Sequence, residues 1–277
     1  MMAKALVSVI IPTKNSQEYI KKCLDSISHQ TYPNIEIIVV DNNSKDKTKE
    51  IAKKYTDKVF NKGPERSSQR NYGASVSTGV YLYFVDSDFY LEERVIEEAV
   101  KKAGEGCEII AIHNSSDPCV SIWSKVRKFE RDMYKYDFNN IAVRFIKKSA
   151  FLDVGGYNEE LIASEDYDLH NRLVEKGYKL GFIEPEEIHL GEPKSLLEIY
   201  KKHYYYGKSI NQYIKTNKKY AAKQLSPIRP AFIKNAGKFL KKPLMTFLFL
   251  IYNFVKYFAA FNGMVVSIFT KKEEGII

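Results

Sequence analysis

A chain of 277 residues with 44% hydrophobic side chains, including 20 Tyr and 16 Phe, fills one large core with an appendage, which excludes wholesale disorder. Its net charge of +9 is uneven: 13 Lys and Arg fall between Lys194 and Lys242 against a single acid, Glu198, so the rest of the chain is net acidic. Such a segment fits an anionic membrane surface, a phosphorylated substrate or nucleic acid.

From the start, Met1-Met2-Ala3-Lys4 has no cleavage-type site and is expected to lead directly into a strand, with no signal peptide. Leu6 to Ile11 is a β-branched run that predicts a strand covered on both faces. Ser16 is placed to cap a helix to about Gln30, with Ile20, Leu24 and Ile27 on one side. Ile35 to Val40 reads as a second buried strand, followed by a charged helix from Asp46 to Tyr55 and a short strand at Lys58 to Phe60. A helix over Glu65 to Ser77, a strand over Tyr81 to Val85, a helix over Glu92 to Ala103 and a strand over Cys107 to His113 continue the alternation. Alternation of this kind predicts a mostly parallel α/β sheet, whose strand C-terminal ends collect polar residues along one edge.

The second half is less regular. Helices are expected over Ile122 to Tyr136, Asp166 to Lys176, Leu196 to Tyr213 and Ala231 to Lys242, with strands over Ile141 to Ile146 and Tyr178 to Ile183. Leu244 to Phe269 is a 26-residue apolar stretch in which Asn262-Gly263 invites a break. The cysteines Cys23, Cys107 and Cys119 lack metal-type spacing and cannot all pair within one chain, which fits reduced thiols in a cytosolic compartment.

The strand ends carry the candidate chemistry. Asp86-Ser87-Asp88 follows an apolar strand, so its two carboxylates leave on one side, a pattern that suits a hard divalent cation. A solvated acidic turn is the ordinary alternative. Pro12-Thr13-Lys14-Asn15 follows the first strand, Asp41 ends the second, Arg70-Asn71 sits on the third helix and Glu165-Asp166 opens a later one. Singly, each also reads as a turn, a cap, a solvated charge or a helix N-terminal carboxylate. His189, just past the last strand, is placed to approach a diphosphate or a metal, although a lone loop histidine is otherwise unremarkable.

Together these segments resemble the nucleotide-sugar site of the family 2 glycosyltransferases, whose fold is GT-A. The matching stretches are Val7 to Asn15, Ile38 to Thr48, Arg70 to Ala74, Tyr81 to Asp88 and Gly155-Gly156-Tyr157-Asn158-Glu159 running on to Leu169, over roughly residues 5 to 185. The resemblance implies an inverting, non-processive transferase using a nucleoside diphosphate sugar, UDP- or GDP-linked, with Mg²⁺ or Mn²⁺. Pro12, Thr13, Asn15 and Asp41 would line the donor base, with Arg70 and Asp86 near phosphates and ribose. Asp88, with Asp86 and His189, would hold the metal. Asp166 would be the catalytic base for an acceptor hydroxyl, whereas an already ionised lipid phosphate would need only orientation. Glu165, Lys202 and Tyr206 are candidates for acceptor contact. Departures are Asn42-Asn43 after Asp41, Gln69 before Arg70 where alanine is usual, Phe89 after Asp88, and no Gln-x-x-Arg-Trp signature.

Lys234, Lys238, Lys241 and Lys242 around Phe232, Ile233, Phe239 and Leu240 predict a membrane-surface helix. The expected organisation is a GT-A catalytic domain over 1–192, a basic segment over 193–242 that partly completes the active site, and a membrane-attachment segment over 243–277. The last either spans once or lies in the interface, on the cytosolic face of the cell membrane, and serves a lipid-linked acceptor such as a polyprenyl or dolichyl phosphate. Two other functions fit parts of the sequence. A nucleic-acid binder would use the basic segment, and a sugar nucleotidyltransferase would need a Gly-rich loop where Pro12-Thr13-Lys14-Asn15 stands. No nucleic-acid partner is expected on the leading reading.

Overall fold

Val7-Ser8-Val9-Ile10-Ile11-Pro12-Thr13 forms an interior strand of a seven-stranded sheet, and every residue of it is buried. The computed structural model describes residues 5–138, 140 and 143–274. In chain order the first elements are β1 (Val7–Thr13), α1 (Ile20–Ser28), β2 (Ile35–Asp41), α2 (Thr48–Ala52), β3 (Val59–Asn61), α3 (Arg66–Val76) and β4 (Tyr81–Phe84). Next come β5 (Phe89–Leu91), α4 (Val95–Gly104), β6 (Ile109–Ala111), β7 (Asn114–Ser116) and α5 (Ile122–Arg131). They are followed by β8 (Val143–Lys147), α6 (Lys148–Asp153), α7 (Glu165–Glu175), β9 (Leu180–Phe182) and β10 (Glu187–His189). The chain closes with α8 (Leu196–Gly207), α9 (Ile210–Thr216), α10 (Lys218–Gln224), α11 (Pro230–Lys234), α12 (Ala236–Lys241) and α13 (Pro243–Glu274).

These elements divide into two units. The first takes Met1–Asn114, Ile141–Glu159 and Glu165–Gly191; the second takes Ser115–Asn140, Glu160–Ser164 and Glu192–Ile277. In the first, the sheet order is β3-β2-β1-β4-β8-β6-β9. β1 runs parallel to β2 and β4, while β8 is antiparallel to both β4 and β6. Pro12 is tolerated in this interior strand because β4 pairing stops at Ile10, so its missing N–H lies beyond that ladder. Alternate residues of β1 feed opposite layers. Val9 and Ile11 pack with Leu24 and Ile27 of α1 and Ile96 of α4, and Ile10 packs with Ala74 of α3 and Leu169 and Leu173 of α7. This is the expected α/β sheet covered on both faces, with one reversed strand.

The second unit is helical. Val126 and Phe129 of α5, Ile199 of α8, Phe232 of α11 and Phe249 and Tyr252 of α13 share its core. The sheet unit ends at Gly191, and 115–140 and 160–164 fall outside it, the apolar face of α5 being buried among helices.

Several expected elements differ. Helix α1 starts at Ile20, since the Ser16 hydroxyl meets that of Ser87 at 2.7 Å and caps nothing. The three-residue strands β5 and β10 pair antiparallel where loops were expected. Expected helix 196–213 breaks at Ser209, whose hydroxyl donates to the Tyr206 carbonyl and accepts from the Ala163 N–H. Expected helix 231–242 breaks at Asn235, whose amide donates to the carbonyls of Met133 and Ala231. Helix α5 stops short of Tyr136, which has φ +66°. The strand expected over 141–146 is described from Val143 onward; 141 and 142 lie outside the described residues, as does the start at 1–4.

Helix α13 runs unbroken through Asn262-Gly263. There the missing side chain serves a close helix crossing: a Cβ on Gly263 would stand 2.0 Å from the Tyr204 carbonyl oxygen. The Asn262 amide donates to the Tyr204 neighbour Tyr200 at its hydroxyl, 3.0 Å away. All three cysteines are free thiols.

Candidate functional site

The parallel pairing of β1 and β2 sets Thr13 beside Asp41 at the strand C-terminal ends. Asp41 is fully buried; its Oδ2 accepts from the Ser44 N–H at 2.7 Å, while its Oδ1 and the Thr13 Oγ1 are buried with no hydrogen-bond partner. Gln69 of α3 holds the two strand ends together, donating through Nε2 to the carbonyls of Val40 (2.6 Å) and Thr13 (3.0 Å). A departure from the family pattern thus has a structural use. Asn15, at φ +49°, ties the β1 loop to the β2 loop, its N–H donating to Ser44 Oγ and its side-chain oxygen accepting from the Lys45 N–H.

Arg70 is wholly buried at the middle of an ion network. Its guanidinium reaches Asp86 at 2.7 Å, Glu165 at 3.1 Å and Asp166 at 3.1 Å, and lies over the Tyr157 ring. Asn71 braces that ring by a two-way bond to the Tyr157 backbone, 2.9 Å in each direction. Gly156, at φ +71°, leaves space for this: a Cβ there would approach Asn71 Oδ1 to 2.7 Å. The Arg70-Asn71 and Gly155-Gly156-Tyr157 motifs are therefore two halves of one contact.

Arg144 on β8 was not among the residues singled out from the sequence. It bridges Asp86 (3.4 Å), Asp166 (3.3 Å) and Glu187 (3.1 Å). A lone cation inside the apolar run Val143-Arg144-Phe145-Ile146 was the available signal. Glu187, likewise not singled out, is buried and accepts from the Tyr83 hydroxyl at 3.0 Å. Burial pushes the Glu187 carboxyl up to about 7, against the opposing pull of Arg144. Burial also acts to raise Asp86, but Arg70, Arg144 and Arg66 outweigh it and hold that carboxyl well below the usual range. Glu165 is raised, chiefly by burial, with Arg66 opposing and Asp166 adding.

Pairing of β5 with β10 carries His189 back to Asp88, Nε2 to Oδ2 at 3.0 Å. Gly191 permits the approach, because a Cβ there would stand 2.2 Å from Asp88 Oδ2. Asp86 turns to the arginines instead, so the three-residue set of Asp86, Asp88 and His189 does not gather as one cluster. Among the described residues no group of three His, Cys, Asp or Glu side chains is arranged to hold a metal. Lys202 and Tyr206 lie on α8 of the second unit, both half-buried, with Tyr206 against the ring of His203.

The architecture is that of the GT-A class. The mannosyltransferase PcManGT from Pyrobaculum calidifontis, solved with GDP-Man and Mn²⁺, shares it at a TM-score of 0.66 and 16% identity, over 94% of this chain and 88% of that one. Residues 8–155 match the family described as Glycosyl transferase family 2, and the chain belongs to that family. Glycosyltransferase GlyA of Streptococcus pneumoniae is 38% identical over 41% of this chain and 17% of its own length. Glycosyltransferase AglE of Haloferax volcanii is 29% identical over 64% of each. The chain thus spans less than two thirds of these relatives. The family and fold read from the motifs are borne out; Glu165, Asp166 and His189 lie past the matched segment.

Proposed function

We propose that this protein transfers a single sugar, with inversion, from a nucleoside diphosphate sugar to a lipid-linked acceptor at the cytosolic face of a membrane. The observation that carries the reading is the convergence, in one unit, of the orphaned Thr13 Oγ1 and Asp41 Oδ1, the Asp88–His189 pair and the arginine-flanked Asp166. A buried carboxylate oxygen without a donor is costly, and a base presenting a ring N–H relieves it. Uracil and guanine both do so, in keeping with a UDP- or GDP-sugar and with the GDP-Man of PcManGT. Asp86, kept ionised by two arginines, accepts from a ribose hydroxyl on this reading.

The donor set at Asp88 and His189, a carboxylate beside an imidazole, fits Mg²⁺ or Mn²⁺, and Gly191 lets the Asp88 carboxylate lie against the backbone there. Bound there, the cation would supply Lewis-acid neutralisation of a departing diphosphate. Arg70 and Arg144 fix the Asp166 carboxylate so that it accepts the proton of an attacking hydroxyl. A second reading has support from the same pair: two guanidiniums flanking Asp166 suit an acceptor phosphate, which needs no base. The C-terminal helices of the second unit would supply membrane attachment, since Pro243–Phe269 is 27 residues long with mean hydropathy 1.6.

A thermal-shift panel of UDP-, GDP- and dTDP-sugars with and without Mn²⁺ tests the donor site, one nucleotide being expected to stabilise only with metal. No stabilisation by any of them overturns the proposal. Asp88→Ala should abolish the metal-dependent shift. Asp166→Asn should keep it and slow transfer to a hydroxyl acceptor by about 10²–10⁴-fold; normal turnover there removes the base assignment and leaves the phosphate acceptor.

A further inference from the structure

Helix α13 has two faces with the same three- and four-residue spacing. On one, Phe249, Tyr252 and Ala259 are buried with Gly263, and Lys256 reaches Glu130 of α5 at 3.1 Å. On the other, Phe247, Leu250, Phe254, Phe258 and Phe261 form an apolar stripe, each between 51% and 71% exposed. Exposed stripes of this size on a soluble chain mark a contact surface. Ahead of the stripe, Lys234, Lys238, Lys241 and Lys242 are exposed and interleave with exposed Ile233 and Leu240.

We infer that α13 lies in the plane of an anionic lipid leaflet, its outer face in the hydrocarbon, and does not cross the bilayer. This deepens the membrane reading above, rests on it, and is independent of the donor site. A crossing helix would draw its packed partners in with it. Helices α5 and α8 lie along its inner face and carry Lys125, Glu198 and Lys201 at exposed positions, charges that hydrocarbon rejects. The apolar stretch is also about 40 Å long as a helix, beyond the roughly 30 Å hydrocarbon core, whereas length is no constraint for a helix lying flat. Lying flat, the Lys256–Glu130 pair stays on the protein side and only the aromatic stripe meets lipid, the geometry of an interfacial helix. The four lysines select the leaflet: a second copy of the chain or an apolar protein groove would cover the stripe but leave them unmatched, while anionic headgroups match both.

The experiment uses the full chain on vesicles of phosphatidylcholine with or without phosphatidylglycerol. Nitroxides are placed at Phe247→Cys, Phe254→Cys and Phe261→Cys in a Cys119→Ser background, where the remaining cysteines are buried. Power saturation is expected to give all three labels the same shallow depth. A Phe254→Cys label about 10 Å deeper than the Phe247→Cys label, the rise of one heptad toward the bilayer middle, means a span and overturns the inference. Lack of any label in lipid, or lipid-free dimerisation through the stripe, overturns it as well. Lys238→Gln, Lys241→Gln and Lys242→Gln together should lower partition onto phosphatidylglycerol vesicles on the order of 100-fold, with an unchanged melting curve. Equal binding to neutral and anionic vesicles by the unmodified chain contradicts the choice of leaflet. Nucleotide-sugar calorimetry on lipid-free protein reads the donor site separately.

Discussion

Gly263→Ala sets two opposed effects against each other at the crossing of α8 and α13. In an isolated helix the change stabilises, by about 1 kcal/mol, because alanine loses less backbone entropy than glycine. At this crossing the new methyl would stand 2.0 Å from the Tyr204 carbonyl oxygen, 3.0 Å from the Tyr204 carbonyl carbon and 3.1 Å from Gly207 Cα. All three are backbone atoms, so no side chain can rotate aside. The helices must part by roughly 1 Å, which forfeits a quarter to a half of the dispersion attraction across the contact. Overpacking usually costs about 1–3 kcal/mol, and rigid backbone neighbours put this site at the upper end. The net expectation is a loss of about 2 kcal/mol, or a melting temperature about 8 °C lower for the helical unit. Calorimetry or circular dichroism melting reads it. Gly237→Ala is the control, since a Cβ there meets nothing within 4 Å. An unchanged or raised melting temperature for Gly263→Ala would refute the close-crossing argument.

Three further outcomes follow from the sheet unit. Glu187, raised from the ordinary carboxyl value of 4.5 to about 7, binds more protons folded than unfolded, so its contribution to stability falls as pH rises from 4.5 to 7. The loss is about 3 kcal/mol at about 1.36 kcal/mol per pH unit; urea unfolding of Glu187→Gln should lack that slope, and an unchanged slope contradicts the assignment. Gln69→Ala removes the donor to two buried carbonyls and should cost about 1–3 kcal/mol in the same assay. Asp41→Ala should weaken nucleotide-sugar binding by about 10–100-fold by calorimetry while leaving binding of Mn²⁺ alone unaltered.

The sheet was legible wherever one strand of four or more apolar residues is buried on both faces, as at Val7 to Thr13, Ile35 to Asp41 and Tyr81 to Phe84. Length alone did not decide, since the three-residue strands Val59–Asn61, Ile109–Ala111 and Leu180–Phe182 were expected. Phe89–Leu91 and Glu187–His189 escaped because acidic residues flank or open them, and with them the pairing that returns His189 to Asp88. Arg70 and the acidic strand ends stood out by position. Arg144 and Glu187 did not, because a buried ion pair is seen only when both partners are known, and these lie on strands apart in sequence. Side chains that compete for backbone groups decided the helix ends: Ser209 and Asn235 each split what hydrophobic spacing joined. At Asn262-Gly263 the opposite error arose, since a glycine demanded by a neighbouring helix looks, in one dimension, like a glycine that ends one.

The bond between Lys256 and Glu130 joins residues 126 positions apart. During synthesis at about 5–20 residues per second, α5 leaves the ribosome roughly 6–25 s before Lys256, the second cation on its buried Glu130 after Arg127 of the same helix, exists. For that interval Val126 and Phe129 have no cover from α13, and the helical unit cannot complete itself however quickly the sheet closes. Nascent chains stalled short of residue 256 are accordingly the species in which ribosome-associated chaperones should be found engaged.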